Sequence, residues 1–269
     1  SLLLQDNTGA TVWASDTWGT GPTSTDFGFK AGGFASAGTE WVAYVFAGGA
    51  STAATARSAY FDSTNINRLR LDDSADWILG DTFTLEAWIK LDNLGSGDTL
   101  CSHSTTKGFM VFLDSTSERI RFYDYDMDMN VSSANGSISA NQWIHIAFVN
   151  NSETAQWYIN GIASGSSESN FDVDFDEAST FALGSRVGGS NYWHGKVSNF
   201  RIVKGTAVYT SDFDPPTQDL TNITNTKLLC CQSTSSTTTA AVTPGTITAN
   251  GDPVATSNFI GIARGNKTI

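Results

Sequence analysis

The strongest constraint on this chain is the alternation across residues 82–91, Thr-Phe-Thr-Leu-Glu-Ala-Trp-Ile-Lys-Leu. In an extended chain Phe83, Leu85, Ala87 and Ile89 fall on one side, and Thr84, Glu86, Trp88 and Lys90 on the other. That is the period of a half-buried β-strand. Shorter segments of the same kind occupy residues 58–62, 69–71, 99–102, 108–113, 119–125, 143–150, 154–159, 180–183 and 227–230. Residues 192–216 hold a further strand, with Phe200 and Ile202 facing a core and Val197, Asn199, Arg201 and Val203 facing the other way. Gly205 breaks it, and Pro215-Pro216 ends the segment because neither proline offers a sheet an N–H donor. Asn160-Gly161 marks a tight turn, since both residues tolerate positive φ. No stretch sustains a 3.6-residue period, so many short strands without helix predict an all-β, antiparallel two-sheet sandwich.

The flanks have a different texture. Residues 1–50 alternate short apolar runs with Gly, Ser and Thr, with candidate strands at 1–4, 26–29 and 41–46. They read as terminal strands of a preceding β-sandwich module or as an assembly segment. Residues 51–57 read as a linker, residues 58–232 as the main domain, and the Ser/Thr-rich residues 233–253 as a second linker. Residues 254–269 regain apolar content and are expected to form an arm or the start of a further β module, docking either on this domain or on another subunit. The chain starts at Ser1 rather than Met, which suggests a processed chain or a fragment.

A net charge of -12 argues against nucleic acid and against an anionic membrane surface, which need clustered Lys and Arg. No apolar run approaches the ~20 residues of a membrane-spanning helix, so membrane insertion is not expected. Three cysteines, with Cys230 and Cys231 adjacent and Cys101 alone, form no disulfide framework and are expected to be buried free thiols.

Several segments carry a family likeness. Tyr60-Phe-Asp62, Asp73-Ser-Ala-Asp-Trp77 and Phe83-Thr-Leu-Glu-Ala-Trp-Ile-Lys90 resemble the opening strands of laminin-G-like, concanavalin-A-like jelly-roll domains. Gln142-Trp-Ile-His-Ile-Ala-Phe148 is similar to that family's central strand, and Trp157-Tyr-Ile-Asn-Gly161 to the hairpin after it. Phe181-Ala-Leu-Gly-Ser185 and His194-Gly-Lys-Val-Ser-Asn-Phe-Arg-Ile202 resemble the closing strands. The resemblance implies a jelly roll over residues 58–232 with flanking β segments and extended arms. The wording from Val203 to Pro216, with Lys227-Leu-Leu-Cys-Cys-Gln232, is similar to variants in structural proteins of marine tailed phages, especially cyanophages. It implies a non-enzymatic virion protein, a tail fibre, appendage or surface decoration, located on the virion surface or extracellularly. Its expected partners are other copies of itself, other virion proteins and host-surface glycans, and a homo-oligomer, guessed as a trimer, follows by analogy with fibres.

Candidate chemistry is sparse. Glycoside hydrolysis needs two carboxylates ~5–9 Å apart, and Glu86 has Trp88 and Lys90 at the following same-face positions where a second acid would stand. His103, His145 and His194 are scattered and no Gly-x-Ser-x-Gly elbow occurs, so no catalytic residue and no metal ligand is assigned. Tyr192 and Trp193 follow a Gly-Gly-Ser-Asn loop and could stack on a sugar ring, although an aromatic there also suits the core. The ladders Asp124, Asp126, Asp128 and Asp172, Asp174, Asp176 each line one face of an extended chain. Asp172 and Asp174 are taken with Tyr192 and Trp193 as candidate ligand-binding residues. Laminin-G-like domains often bind calcium at a rim, so the resemblance admits Ca²⁺ as a cofactor, while the residues alone fit a solvated acidic face. Two further functional classes stay open: a calcium-dependent lectin and a polysaccharide-cleaving enzyme.

Overall fold

A computed structural model describes residues 4–6, 9–11, 57–62, 66–95, 98–104, 107–173 and 179–257. The chain divides into two units, Ser1–Gly48 and Gly49–Ile269. In the first, β1 (Leu4–Asp6) pairs antiparallel with β2 (Gly9–Thr11). The strands predicted at 26–29 and 41–46 lie outside the described residues, as does residue 258 onward.

The second unit is the expected two-sheet antiparallel sandwich. One sheet runs β12 (Ile162–Ser169), β11 (Thr154–Ile159), β10 (Ile144–Asn151), β5 (Phe83–Leu91), β14 (Gly195–Lys204), β15 (Thr226–Cys230), β16 (Ala240–Val242). β3 (Arg57–Phe61) pairs with the other half of the same β14 edge, and β18 (Val254–Ser257) pairs with β3. The facing sheet runs β17 (Ile247–Asn250), β4 (Arg68–Leu71), β13 (Phe181–Leu183), β6 (Thr99–His103), β7 (Phe109–Asp114), β8 (Arg119–Asp124), β9 (Met129–Ser132). Between them lies an aromatic core. Phe122 of β8 stacks on Phe148 of β10 at 4.4 Å, Phe109 of β7 stacks on Phe122 at 5.1 Å, and Phe83 of β5 reaches Phe148 at 5.8 Å. All four are fully buried. Each such side chain removed from water contributes about 1.5–3 kcal/mol. Cys101, Cys230 and Cys231 are free thiols inside this core.

The sandwich differs from the sequence reading in three ways. The alternation in β14 does not run straight through. Val197 is in the core, as are Phe200 and Ile202, because the register shifts between Ser198 and Arg201. Asn199, at φ +52°, is the extra residue of this bulge, and inserting one residue moves every earlier side chain to the opposite face. The predicted alternation thus holds only from Phe200 onward.

The second difference is at the C-terminal side. Composition marked residues 233–253 as a linker, yet β16 pairs with β15, β17 with β4, and β18 with β3. The first two lie in that stretch, and β18 is the part of the expected arm that docks on this domain. Ser and Thr hide these strands because the strands sit at sheet edges, where only alternate backbone groups and few side chains are buried. Side chains tie them down: Asn67 exchanges hydrogen bonds with Asp252 (Nδ2 to carbonyl 3.2 Å, carbonyl oxygen from N–H 2.6 Å), and Ser58 and Thr256 hydroxyls meet at 2.8 Å.

Third, β5, β10 and β14 are buried on both faces. The segment after β14, residues 205–225, is a strap across the outer face of the nine-stranded sheet. Thr84 Oγ1 donates to the Thr206 carbonyl (3.0 Å) and accepts from Val208 N–H (2.9 Å). Phe213 N–H donates to the Gly161 carbonyl (2.8 Å), and Ala163 N–H donates to Asp212 Oδ1 (2.9 Å). Tyr209 and Phe213 stack at 3.6 Å over Ala147, Val149 and Tyr158. The strap depends on the turn predicted at Asn160-Gly161, where both residues have positive φ (+50° and +79°). A Cβ at Gly161 would run into the Phe213 carbonyl oxygen. Gly161→Ala is therefore expected to lower stability by more than ~1 kcal/mol in urea denaturation and to increase proteolytic cleavage within residues 205–225.

Candidate functional site

Under the strap lies a buried polar network whose members come from three adjacent strands. Arg201 and Glu86 face each other across β14 and β5 in register, and His145 stands on β10 opposite Trp88. Arg201 Nε donates to Glu86 Oε1 at 2.9 Å and its Nη2 to the same oxygen at 2.5 Å, while Nη1 reaches the Thr221 carbonyl of the strap at 3.0 Å. Tyr209 OH donates to Glu86 Oε2 at 2.8 Å, and His145 Nε2 lies 3.3 Å from that oxygen. Glu86 and His145 have no solvent exposure. Burial acts to raise the Glu86 carboxyl, but contact with His145 and the Arg201 charge hold it below its ordinary value. Burial, with the Glu86 charge beside it, pushes the Tyr209 phenol upward. Glu86 is thus an ionised, fully partnered structural carboxylate without access to substrate, and it cannot serve as a hydrolytic acid. From sequence, Glu86 lacks a second acid on its face. The stronger reason against it is the strap, whose signal is Tyr209 and Phe213 between the break at Gly205 and Pro215-Pro216.

Beside the strap the same face opens into a shallow cleft of ≈ 190 Å³. Val149, Tyr158 and Tyr209 supply apolar and aromatic surface, and Asn151, Thr154, Gln156, Ser167 and Thr210 ring it with neutral hydrogen-bonding groups. Gln156 Nε2 is engaged with the backbone carbonyls of Trp157 (2.9 Å) and Ser164 (3.2 Å), which orients the amide and leaves its oxygen to accept. The volume is below the ~300–1,000 Å³ of sites for drug-sized ligands and suits contact with a single sugar ring. None of these residues was singled out from sequence, because they come from β10, β11, β12 and the strap and only the fold assembles them.

The residues singled out from sequence have other places. Trp193 is fully buried in the core and is not available to a ligand, which corrects its assignment as a stacking residue. Its neighbour Tyr192 is half-buried on the opposite side of the chain, with its hydroxyl donating to the Gly189 carbonyl at 2.8 Å. Asp172 is half-buried and its charge faces Asp124, whose carboxyl is raised by burial first and by Asp126 and Asp172 after it. Asp174 and Asp176 lie outside the described residues. The Asp124–Asp128 ladder is not a strand. Asp124 Oδ1 accepts from the N–H groups of Asp126 (2.8 Å) and Met127 (2.9 Å), and Asp128 accepts from Tyr123 OH (2.6 Å), so these carboxylates build the turn between β8 and β9. Among the described residues no group of three or more His, Cys, Asp or Glu is arranged to hold a metal ion. His103 contacts the Ser179 carbonyl (3.1 Å), and His194 lies between Asp92 (3.6 Å) and Asn93 (3.1 Å).

The two-sheet jelly-roll sandwich thus locks Glu86 into an ion pair and opens a neutral cleft with an aromatic wall beside it. The chain belongs to the family of the concanavalin A-like lectin/glucanases superfamily that matches residues 62–208. Among solved structures it is similar to a proposed carbohydrate-binding protein from Bacteroides ovatus, at 16% identity and a TM-score of 0.50. That match covers 77% of this chain, which spans 62% of the Bacteroides protein. A heptameric pentraxin from Limulus polyphemus is also similar, at 14% identity and a TM-score of 0.49, over 77% of this chain and 97% of the pentraxin. No curated protein sequence matches.

Proposed function

We propose that this chain is a non-enzymatic glycan-adhesion module of a structural protein, and that its cleft beside the strap holds one ring of a neutral glycan. The observation that carries the reading is the fate of Glu86: the carboxylate best placed for hydrolysis is buried in an ion pair, while the open cleft next to it is lined by Val149, Tyr158, Tyr209 and neutral donors and acceptors. Tyr faces supply stacking area and amides supply directional hydrogen bonds, the combination that small polar ligands require. The Bacteroides protein of the same fold, itself proposed to bind carbohydrate, is in line with it. The resemblance of residues 203–216 to tailed-phage structural proteins extends the proposal to a virion surface, with other copies of this chain and other virion proteins as partners. β16, β17 and β18 each pair along one side within the chain, so strand addition between copies would use their outer edges.

Native affinity electrophoresis in gels containing neutral polysaccharides tests the cleft. At least one polysaccharide is expected to retard the protein, and Asn151→Ala or Gln156→Ala to weaken that retardation about tenfold, the worth of one lost hydrogen bond of ~1.4 kcal/mol. Retardation unchanged in both variants moves the glycan elsewhere.

A further inference from the structure

The opposite face of the molecule carries a second candidate site of different chemistry. The chain has eight arginines, and five of them, Arg68, Arg70, Arg119, Arg121 and Arg186, belong to the seven-stranded sheet or to the loop that crosses its outer face. Arg119 and Arg121 are both engaged by Asp114, at 3.0 and 3.5 Å. The other three have no carboxylate partner among the described residues. The Arg70 Nε is buried without an acceptor among the described residues. Arg68 donates to neutral oxygens, Asn250 Oδ1 and the Val187 carbonyl, each at 3.4 Å. Arg186 lies over the Tyr125 ring (5.8 Å) and donates to its hydroxyl at 2.8 Å.

These three cations share one surface. Arg68 and Arg70 are alternate residues of β4, so both point to the outer face while Leu69 and Leu71 are buried in the core. Across the sheet, Arg70 is in register with Ala182, Ser102, Met110 and Tyr123 in turn. The crossing loop is pinned above that row, because Ser102 Oγ accepts from Val187 N–H (2.8 Å) and donates to the Ser185 carbonyl (3.4 Å). The pinning sets Arg186 on the Tyr125 side and leaves Arg68 on the other side of Val187. Tyr192 closes the far end, its hydroxyl and Arg68 Nη1 both standing beside Gly189.

We propose that this face binds an anionic glycan, a chain bearing carboxylate or sulfate groups, through Arg68, Arg70 and Arg186, with Tyr125 and Tyr192 as its aromatic contacts. Guanidinium groups match the planar, two-oxygen geometry of carboxylates and sulfates. They act locally even in a protein of net charge -12, since charges more than about 10 Å away are screened at ordinary salt. Asp126 and Asp128, on the exposed β8–β9 turn, bound the site on the Tyr125 side and keep the bound chain toward β4. The site is independent of the neutral cleft on the other sheet, and either can fail without the other.

Isothermal titration of the full chain with a sulfated and a carboxylated oligosaccharide, at low and at high salt, tests it. At least one is expected to bind, to weaken as salt rises, and to lose roughly tenfold or more in affinity in the Arg70→Ala, Arg186→Ala double variant. Arg186→Lys is expected to lose less, and Gln156→Ala in the other cleft to leave this affinity unchanged. Should the double variant melt below the parent, Arg186→Gln in the surface loop gives the same reading without touching a strand. Absence of binding by both anions, or equal affinity in the parent and the arginine variants, overturns the proposal. Equal binding of a single-stranded oligonucleotide overturns the glycan assignment.

Discussion

Arg201→Met is expected to destabilise the protein by about 3–5 kcal/mol, because it leaves the fully buried Glu86 carboxylate without its guanidinium counter-charge. This is a large part of the ~5–15 kcal/mol that a domain commands in all. The double replacement Glu86→Leu, Arg201→Met is expected to recover most of the loss, since an apolar pair of similar volume removes the desolvation cost along with the attraction. Tyr209 is then left without its acceptor, so recovery stays incomplete by about the 1–3 kcal/mol of one orphaned hydroxyl. Urea denaturation of the three proteins measures the coupling directly. The network also has a pH signature. The folded-state Glu86 carboxyl lies below its ordinary value of 4.5, so its contribution is complete above that value and is lost as pH falls through the lower folded value. Asp98 and Asp124, raised by burial, act in the opposite sense: their contribution is present below the ordinary value of 3.8 and is lost as pH rises through the higher folded value. Melting temperature followed below pH ~4.5, around the ordinary carboxylate range, is therefore expected to be lowered more by acid in the parent than in Glu86→Leu, Arg201→Met, which keeps Asp98 and Asp124 but not the Glu86 carboxyl.

The second large effect concerns the C-terminal side. A chain ended after Gln232 loses β16, β17 and β18, and with them the partners of β15, β4 and β3. Removing β17 uncovers one edge of β4 and takes the buried Ile247 side chain out of the core. Removing β18 frees an edge of β3, along with the Thr256 partner of Ser58. Open edges with unpaired N–H and C=O groups recruit other chains. The truncated protein is expected to be mainly insoluble, or to melt well below a chain ended after Ser257, in a comparison by circular dichroism and sedimentation. Equal stability of the two would mean that residues 233–253 are the linker their composition suggests.

These two effects mark where the sequence was legible and where it was not. The alternation of residues 82–91 located β5, and its core face of Phe83, Leu85, Ala87 and Ile89 is buried as read, because a period of two translates directly into a sheet face. Asn160-Gly161 fixed a turn for the equally local reason that few residues accept its backbone. Beyond the local scale the reading weakened. β12 and β16–β18 carry few large apolar side chains, so what holds them is the backbone pairing of edges, which hydropathy does not register. Arg201 and Glu86 read as the polar side of half-buried strands. They became a buried pair only because residues 205–225 return across that side, a contact with no periodic signature. Tyr192 and Trp193 read as a pair, yet adjacent residues of an extended chain point apart, and the structure separates them into surface and core. The neutral cleft is assembled from four segments and the arginine face from three, so no motif spells either one.

The claim at the centre of this account is that the cleft of Tyr158 and Tyr209 binds a neutral glycan without cleaving it. Isothermal titration of the full chain with neutral oligosaccharides, followed by assay of the same cell for new reducing ends, tests it most directly. Saturable binding to one site is expected, weakened about tenfold in Asn151→Ala and in Gln156→Ala, with no reducing ends formed. New reducing ends that accumulate with the parent protein would contradict it, as would binding that both cleft variants retain in full.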